Sequence, residues 1–297
     1  MIEARDLKGL PGVSVKDMTK DGLALPKEWT VDFLATIRAR SIARRYGARI
    51  AIAPDGGGGV DIGMPASAEA EKIAEGGSYQ DHLVGEIVGK AWALTKIGGR
   101  VLVSESGTEE FINSAWATFQ EIAALSAARG ENRYFISGTG DGEPRGIFAE
   151  AASFVTASAS AIAADELEEL DRSIEEEWES VADIVTSGAD YRGPVYVCHK
   201  STLEKLRGIT GLEDPRKKFT LRGRPVIVAA SAPAFAAGAK VLALVNWEGY
   251  LLFTRRYDLA LHKSLDLNTL QQKWDFAERV DGKVWDSSAC KVLALHA

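Results

Sequence analysis

Histidine, cysteine and proline are scarce in this 297-residue sequence, at 4, 2 and 9 residues, and their scarcity removes whole classes of function. His82, His199, His262 and His296 are scattered, without the HxxxH or HxH spacing that gathers imidazoles around zinc. Each reads as a surface or structurally satisfied histidine. Cys198 and Cys290 lie far apart in apolar, strand-like contexts, VYVCH and SSACKVL, with no CxxC. They read as buried thiols made in a reducing compartment; packing alone explains both, and a disulfide between them is the alternative. No apolar run reaches the roughly 18 residues that span a bilayer. The start, MIEARDLKGL, lacks the basic-then-apolar layout of a secretory signal.

Basic charge is also in deficit: 35 Lys+Arg against 42 Asp+Glu gives a net charge of −7. A dedicated nucleic-acid reader needs a basic surface, so that class is disfavoured, whereas a protein that merely encloses nucleic acid is not. The sequence has no GxSxG elbow, no Walker lysine and no dinucleotide fingerprint after a strand. The expectation is a protein that is not an enzyme, with no catalytic residue, metal or cofactor.

What is present is ordinary for a folded protein, 46% hydrophobic and 26% charged, and the length predicts about two domains. Residues 1–30 lack a sustained period and are interrupted by Gly9, Pro11, Gly12, Gly22 and Pro26, which reads as an extended arm. Residues 31–46 set Phe33, Leu34, Ile37 and Ile42 near helical spacing with Arg38, Arg40, Arg44 and Arg45 between them. This is a short basic amphipathic helix: a docking helix with a solvated face, or a contact for acidic neighbours or phosphate.

From 49 to 104 short β-like runs surround the tract DGGGG at 55–59, which predicts a long hairpin with a mobile part. A phosphate loop would need Lys-Ser/Thr opening a helix after the glycines, and Val60-Asp61 follows instead. The clearest helix is expected at 108–129, capped by Thr108, with Phe111, Ala115, Trp116, Phe119, Ile122 and Ala123 on one apolar face and Gly130 placed to stop it. A second is expected at 165–186, where Leu167, Leu170, Ile174, Trp178, Val181 and Val185 oppose an acidic face. Carboxylates there, such as Glu175 and Glu179, read as solvated, since no second ligand set comes near them.

Strands are expected at 194–198, 224–230, 240–247 and 249–256, with two more around a turn at Asp281-Gly282 within 275–295. Helices and strands mix without a βαβ rhythm or an internal repeat, which favours α+β. The dense loop GTGDGEPRG could hold a metal or anion through Asp141, Glu143 and Arg145, or drive a metal-dependent hydrolysis through the two acids. Gly138, Gly140, Gly142, Pro144 and Gly146 describe instead a tight crossing whose requirement is backbone shape.

At this loop the sequence resembles a known family. RVLVSES at 100–106, the helix after it and YFISGTGDGEPRGIF at 134–148 are similar to the signature of Hong Kong 97-type tailed-phage major capsid proteins. VYVCHKSTLEKLRGI, LRGRPVIVAASAP, LVNWEGYLLFTRR and ERVDGKVWDSSACKVL follow in the family's order, so the resemblance runs from about 95 to the end. It implies the Hong Kong 97-like capsid fold: an N-terminal arm (1–48), an E-loop hairpin (49–99), a peripheral domain with a long spine helix (100–157 and 256–297) and an axial domain (158–255). It implies hexamers and pentamers of an icosahedral phage head in a virion, assembled in the host cytoplasm around double-stranded DNA without sequence-specific binding or membrane contact. Portal, scaffold and cement proteins would be its partners.

Many relatives begin with a helical scaffolding segment that a protease removes, and none precedes the arm here; Met1 leans toward a separate scaffold over a matured product. Some relatives crosslink an E-loop lysine to an asparagine near a glutamate. Lys90 or Lys96, Asn268 and Glu278 stand nearest those positions, without an asparagine in register. The alternative within the same fold is an encapsulin-like nanocompartment shell enclosing protein cargo.

Overall fold

A computed structural model describes residues 35–53, 58–62, 89–104, 112–174, 178, 193–207, 209, 220–255, 260–266 and 271–297. Two mixed sheets carry the body. In the first, the 14-residue strand β12 (Gln271–Val284) is the spine. One edge pairs antiparallel with β4 (Thr95–Ser104). The other pairs with β10 (Tyr250–Arg255) above and β11 (Ala260–Asp266) below. β1 (Arg49–Ala53) adds to β10 in parallel. In the second sheet the order is β5 (Ala152–Val155), β13 (Cys290–Ala294), β9 (Lys240–Val245), β6 (Val195–Cys198), β8 (Arg224–Val228) and β7 (Thr220–Leu221).

Alternation along the second sheet builds two cores. Val195, Val197, Ala243, Val245 and Val292 pack with Phe135, Ile136, Ile147 of the single turn α3 (Ile147–Glu150) and Trp247 on one side. Tyr196, Cys198, Leu242, Leu244 and Leu293 pack on the other with Leu167 and Leu170 of α4 (Ala164–Arg172) and Leu206 of α5 (Lys200–Leu206). Burial on both faces is why KVLALV is apolar without a break. Both cysteines lie in this sheet as free, buried thiols, each pushed up to about 12 first of all by burial.

Several expectations are corrected. The long helix α2 (Ile112–Ser137) runs through Gly130 and ends before Gly138. A helical glycine costs only about 1 kcal/mol, and complete burial of Phe135 and Ile136 one turn later outweighs it. Its buried face is Ala123, Ala124, Ala127 and Ala128, small side chains facing β4, while Ile122, expected on that face, is 45% exposed. Residues 105–111 and the side chains of 112–120 lie outside the described residues.

The turn expected at Asp281-Gly282 is also absent: β12 passes straight through, and the reversal comes at 285–289, where Asp286 accepts hydrogen bonds from the Ser288 N–H and hydroxyl. Gly282 serves packing instead, since a Cβ there would meet the Tyr250 hydroxyl at 2.2 Å. Of the second expected helix, α4 accounts for the first half and 179–192 lie outside the described residues. The hairpin expected between 49 and 104 is present at its base. Gly58 and Gly59, from the glycine tract, are strand residues of β2 (Gly58–Ile62), antiparallel to β3 (Gly89–Ala93), and 63–88 lie outside the description.

Candidate functional site: the junction of arm, long helix and hairpin

Three elements with little core of their own meet the first sheet, and each is held by a few specific contacts. The arm enters as helical residues 35–40, breaks at Ser41 and continues as the single turn α1 (Ile42–Arg45). Asn132 of α2 bridges the break: its Oδ1 accepts the Ile42 N–H at 2.7 Å and its Nδ2 donates to the Arg40 carbonyl at 3.1 Å. Those groups sit where the helical ladder is interrupted, so a side-chain amide satisfies what the backbone does not. Ile37 and Ala43 bury the apolar side of the arm.

Beside Asn132, Arg44 lays its guanidinium on the Glu131 carboxylate, with Nε 2.9 Å from both oxygens and Nη2 2.5 Å from Oε1. The side chains are 5% and 0% exposed, so this forked pair is a buried one. Glu278 of β12 lies against the same pair, 6% exposed, and its Oε1 has no hydrogen-bond partner. Burial first, and then the neighbouring Glu131, pushes its carboxyl up to about 8, with Arg44 opposing. Burial thus favours the neutral form of Glu278 beside the Glu131 carboxylate that Arg44 already pairs.

The hairpin is anchored at its base. Trp92 of β3 stacks on Phe253 of β10 with ring centroids 5.5 Å apart, and Leu251 completes this small cluster. Asp281 accepts the Ala93 N–H at 2.9 Å and the Gly282 N–H at 2.8 Å, and the Lys283 ammonium donates to the Ala91 carbonyl. Burial raises the Asp281 carboxyl, and the two N–H bonds oppose the rise.

The glycine-rich loop closes the end of α2. Thr139 and Arg145 form a β-bridge, and Gly140 and Gly142 take φ of +83° and +67°. Gly138 and Gly146 press on backbone, where a Cβ would meet the Pro144 carbonyl oxygen at 2.1 Å and the Ile136 carbonyl oxygen at 2.5 Å. The Tyr250 hydroxyl donates to the Arg145 carbonyl at 2.8 Å, and the Arg145 N–H donates to the Gly282 carbonyl, tying the loop to the first sheet. Glu143 is spent inside the loop, accepting from the Thr139 N–H and hydroxyl, and Asp141 is exposed. Among the described residues no cluster of three His, Cys, Asp or Glu could hold a metal.

Of the crosslink candidates, Lys96 and Glu278 lie on opposite faces of the sheet within one chain. Ile97 is the register partner of Glu278 and both are buried, whereas Lys96 pairs with Arg279 and is exposed. Lys90 is a β3 residue opposite Asp61, its side chain outside the description, and Asn268 lies wholly outside it. His199 caps α5, its Nδ1 accepting the Ser201 N–H at 3.2 Å. Sequence reasoning missed Glu131, Asn132 and Asp281 as junction residues; for the two helical ones the signal available was a charged or amide residue beside the alanine-lined side of the helix, whereas Asp281 was expected in a turn and lies within β12.

A curated-protein comparison finds no match. Among solved structures, the capsid of an empty GTA particle is similar at a TM-score of 0.64 and 18% identity, covering 94% of each chain. The satellite phage P4 procapsid that includes the size determination protein is similar at 0.57 and 10%, covering 90% of this chain and 100% of that one. The holo-SrpI encapsulin complex of Synechococcus elongatus is similar at 0.53 and 14%, covering 94% and 91%. These likenesses establish the Hong Kong 97-like capsid fold. The model of the phage capsid family matches residues 21–295, taking in the arm helix, the hairpin, the long helix and both sheets, and the chain belongs to that family.

Proposed function

We propose that this shell protein is a major capsid protein that assembles as hexamers and pentamers into an icosahedral head enclosing double-stranded DNA, in the host cytoplasm. The observation that carries the reading is the hairpin. β2 and β3 pair only with each other among the described residues and touch the body at one end. A two-stranded sheet is marginal in water without further cover, and neighbouring subunits of a shell would supply it. Exposed Ile50 and Ile52 on β1, 41% and 61% accessible, support the same need for a neighbour.

In this reading 1–48 is the arm, 49–99 the E-loop, 100–157 with 256–297 the peripheral domain and 158–255 the axial domain, and the self-paired hairpin supports the second of these. The mechanism is mechanical: each hairpin lies over a neighbour, each arm laces along another, and many modest interfaces sum to a closed shell. Portal, scaffold and cement proteins would be further partners. In this reading a covalent link through Lys90 or Lys96 to Asn268 beside Glu278 would join neighbouring subunits.

The test is the content of nuclease-treated particles. An ultraviolet spectrum dominated by nucleic acid, with duplex DNA recovered on disruption, is the expected result. A protein-like spectrum with a co-purifying enzyme would favour the encapsulin-type shell and overturn the DNA reading.

A further inference from the structure

We propose that the exposed arginines gathered where the arm crosses the long helix form a phosphate-facing surface that holds the backbone of enclosed double-stranded DNA. The inference rests on the reading of the chain as a DNA-filled shell. Arg38, Arg40, Arg45 and Arg49 on the arm side and Arg129 and Arg133 on α2 are all exposed. Arg129 and Arg133 are four residues apart, hence one turn apart on one stripe. Asn132 fixes the arm to that stripe through the Arg40 carbonyl and the Ile42 N–H, so Arg40 meets the stripe of Arg129 and Arg133 at this bridge, with Arg38 and Arg45 next along the arm and Arg49 at the start of β1.

The local charge opposes the composition. In a chain of net charge −7, none of these six arginines has a carboxylate partner among the described residues. Of the acids near the crossing, Glu131 is buried under Arg44 and Glu278 is buried beneath both, while the half-buried Glu248 lies beside Gly47, on the Arg45 and Arg49 side of the arm. Glu121, the exposed acid of α2, lies two turns from Arg129, about 12 Å along the axis. An acidic protein that leaves an arginine cluster unneutralised presents a surface for a polyanion.

Side-chain chemistry favours phosphate. The guanidinium is planar, always charged and matched to phosphate oxygens through paired N–H donors. Arg45 and Arg133 already lie over the rings of Tyr46 and Tyr134, 5.7 Å from each centroid, which limits the freedom they lose on binding. Guanidinium contacts of this kind would be to the phosphate backbone and independent of sequence. The alternative polyanion, an acidic face of a second copy of the chain, is separated from DNA by the test.

The test compares the full chain with Arg129→Gln/Arg133→Gln, with Arg129→Lys/Arg133→Lys, and with Lys200→Gln/Lys205→Gln on α5 as a charge-matched control. Binding of a labelled 30-base-pair mixed-sequence duplex is measured across NaCl concentrations, and particles are examined by electron microscopy and absorbance. Each lost phosphate contact lowers the slope of log K against log salt by about 0.9, so the Gln pair is expected to lower it by about 1.8. The Lys pair and the α5 control should keep the parent slope. Equal slopes for the Gln pair and the parent, with shells still full of DNA, would overturn the surface while leaving the container reading intact. Unchanged duplex binding with failed assembly would assign the arginines to a subunit contact and overturn the proposal. Particles without nucleic acid in the parent would overturn the container reading itself.

Discussion

Burial of Glu278 beside Glu131 couples the stability of the arm junction to pH. Its folded pKa, about 8, lies above the ordinary value of 4.5, so the folded state holds the proton more tightly than the unfolded chain does. The contribution to stability is therefore full below about 4.5, declines as pH rises from there to about 8, and is flat beyond. Glu278→Gln removes this titration while keeping the shape. Urea midpoints measured from pH 5 to 9 should fall less steeply with rising pH for the variant, which becomes the more stable protein above pH 8. Parallel curves for the two proteins would contradict the assignment. Gly282 offers a second test at this scale. An added Cβ would stand 2.2 Å from the Tyr250 hydroxyl and 2.8 Å from its ring, in a buried strand that cannot step aside. Gly282→Ala should cost about 1–3 kcal/mol in equilibrium unfolding, as overpacked cores do. It should also loosen the Tyr250 bond to the Arg145 carbonyl that holds the glycine-rich loop.

Elements held by few contacts should loosen separately from the sheets. Trp92→Ala removes the ring that stacks on Phe253, and Asp281→Ala frees the Ala93 N–H. Hydrogen exchange of either variant should show β2 and β3 losing protection while β9 and β13, buried on both faces, keep theirs. Equal loss in β9 would mean that the hairpin and the body unfold together. At this scale most of the fold was legible, because strand runs such as KVLALV and the helix signal of α4 report burial directly. The failures share one cause. Gly130 and Gly282 carry a local breaking tendency of about 1 kcal/mol, and packing decides the matter, the burial of Phe135 and Ile136 further along the same helix for one and the approach of Tyr250 from another strand for the other. The requirement of the glycine-rich loop is local: two positive φ angles and two backbone contacts between residues 136 and 146. The buried triad of Arg44, Glu131 and Glu278 was not legible, since its members come from three elements and charged residues read as solvated faces until the packing is known.

For the whole molecule, what is exposed matters more than what is buried. The sheets seal their own cores, while a self-paired hairpin, the apolar residues Ile50, Ile52, Leu102, Val155 and Val228, and the arginine crossing are left open. A protein that functioned as a monomer would have little reason to keep all of these. Substituting Ile50 and Ile52 together by Ser should change the unfolding free energy by no more than about 1 kcal/mol, about 0.5 for each surface change, and should reduce particle yield in size-exclusion profiles if β1 lies at a subunit contact. The most direct test of the shell account is electron microscopy of the purified full chain over a range of concentration and salt. Closed icosahedral particles, or free hexameric and pentameric rings on the way to them, are the predicted result. A monomer or dimer under every condition, including with duplex DNA present, would contradict it.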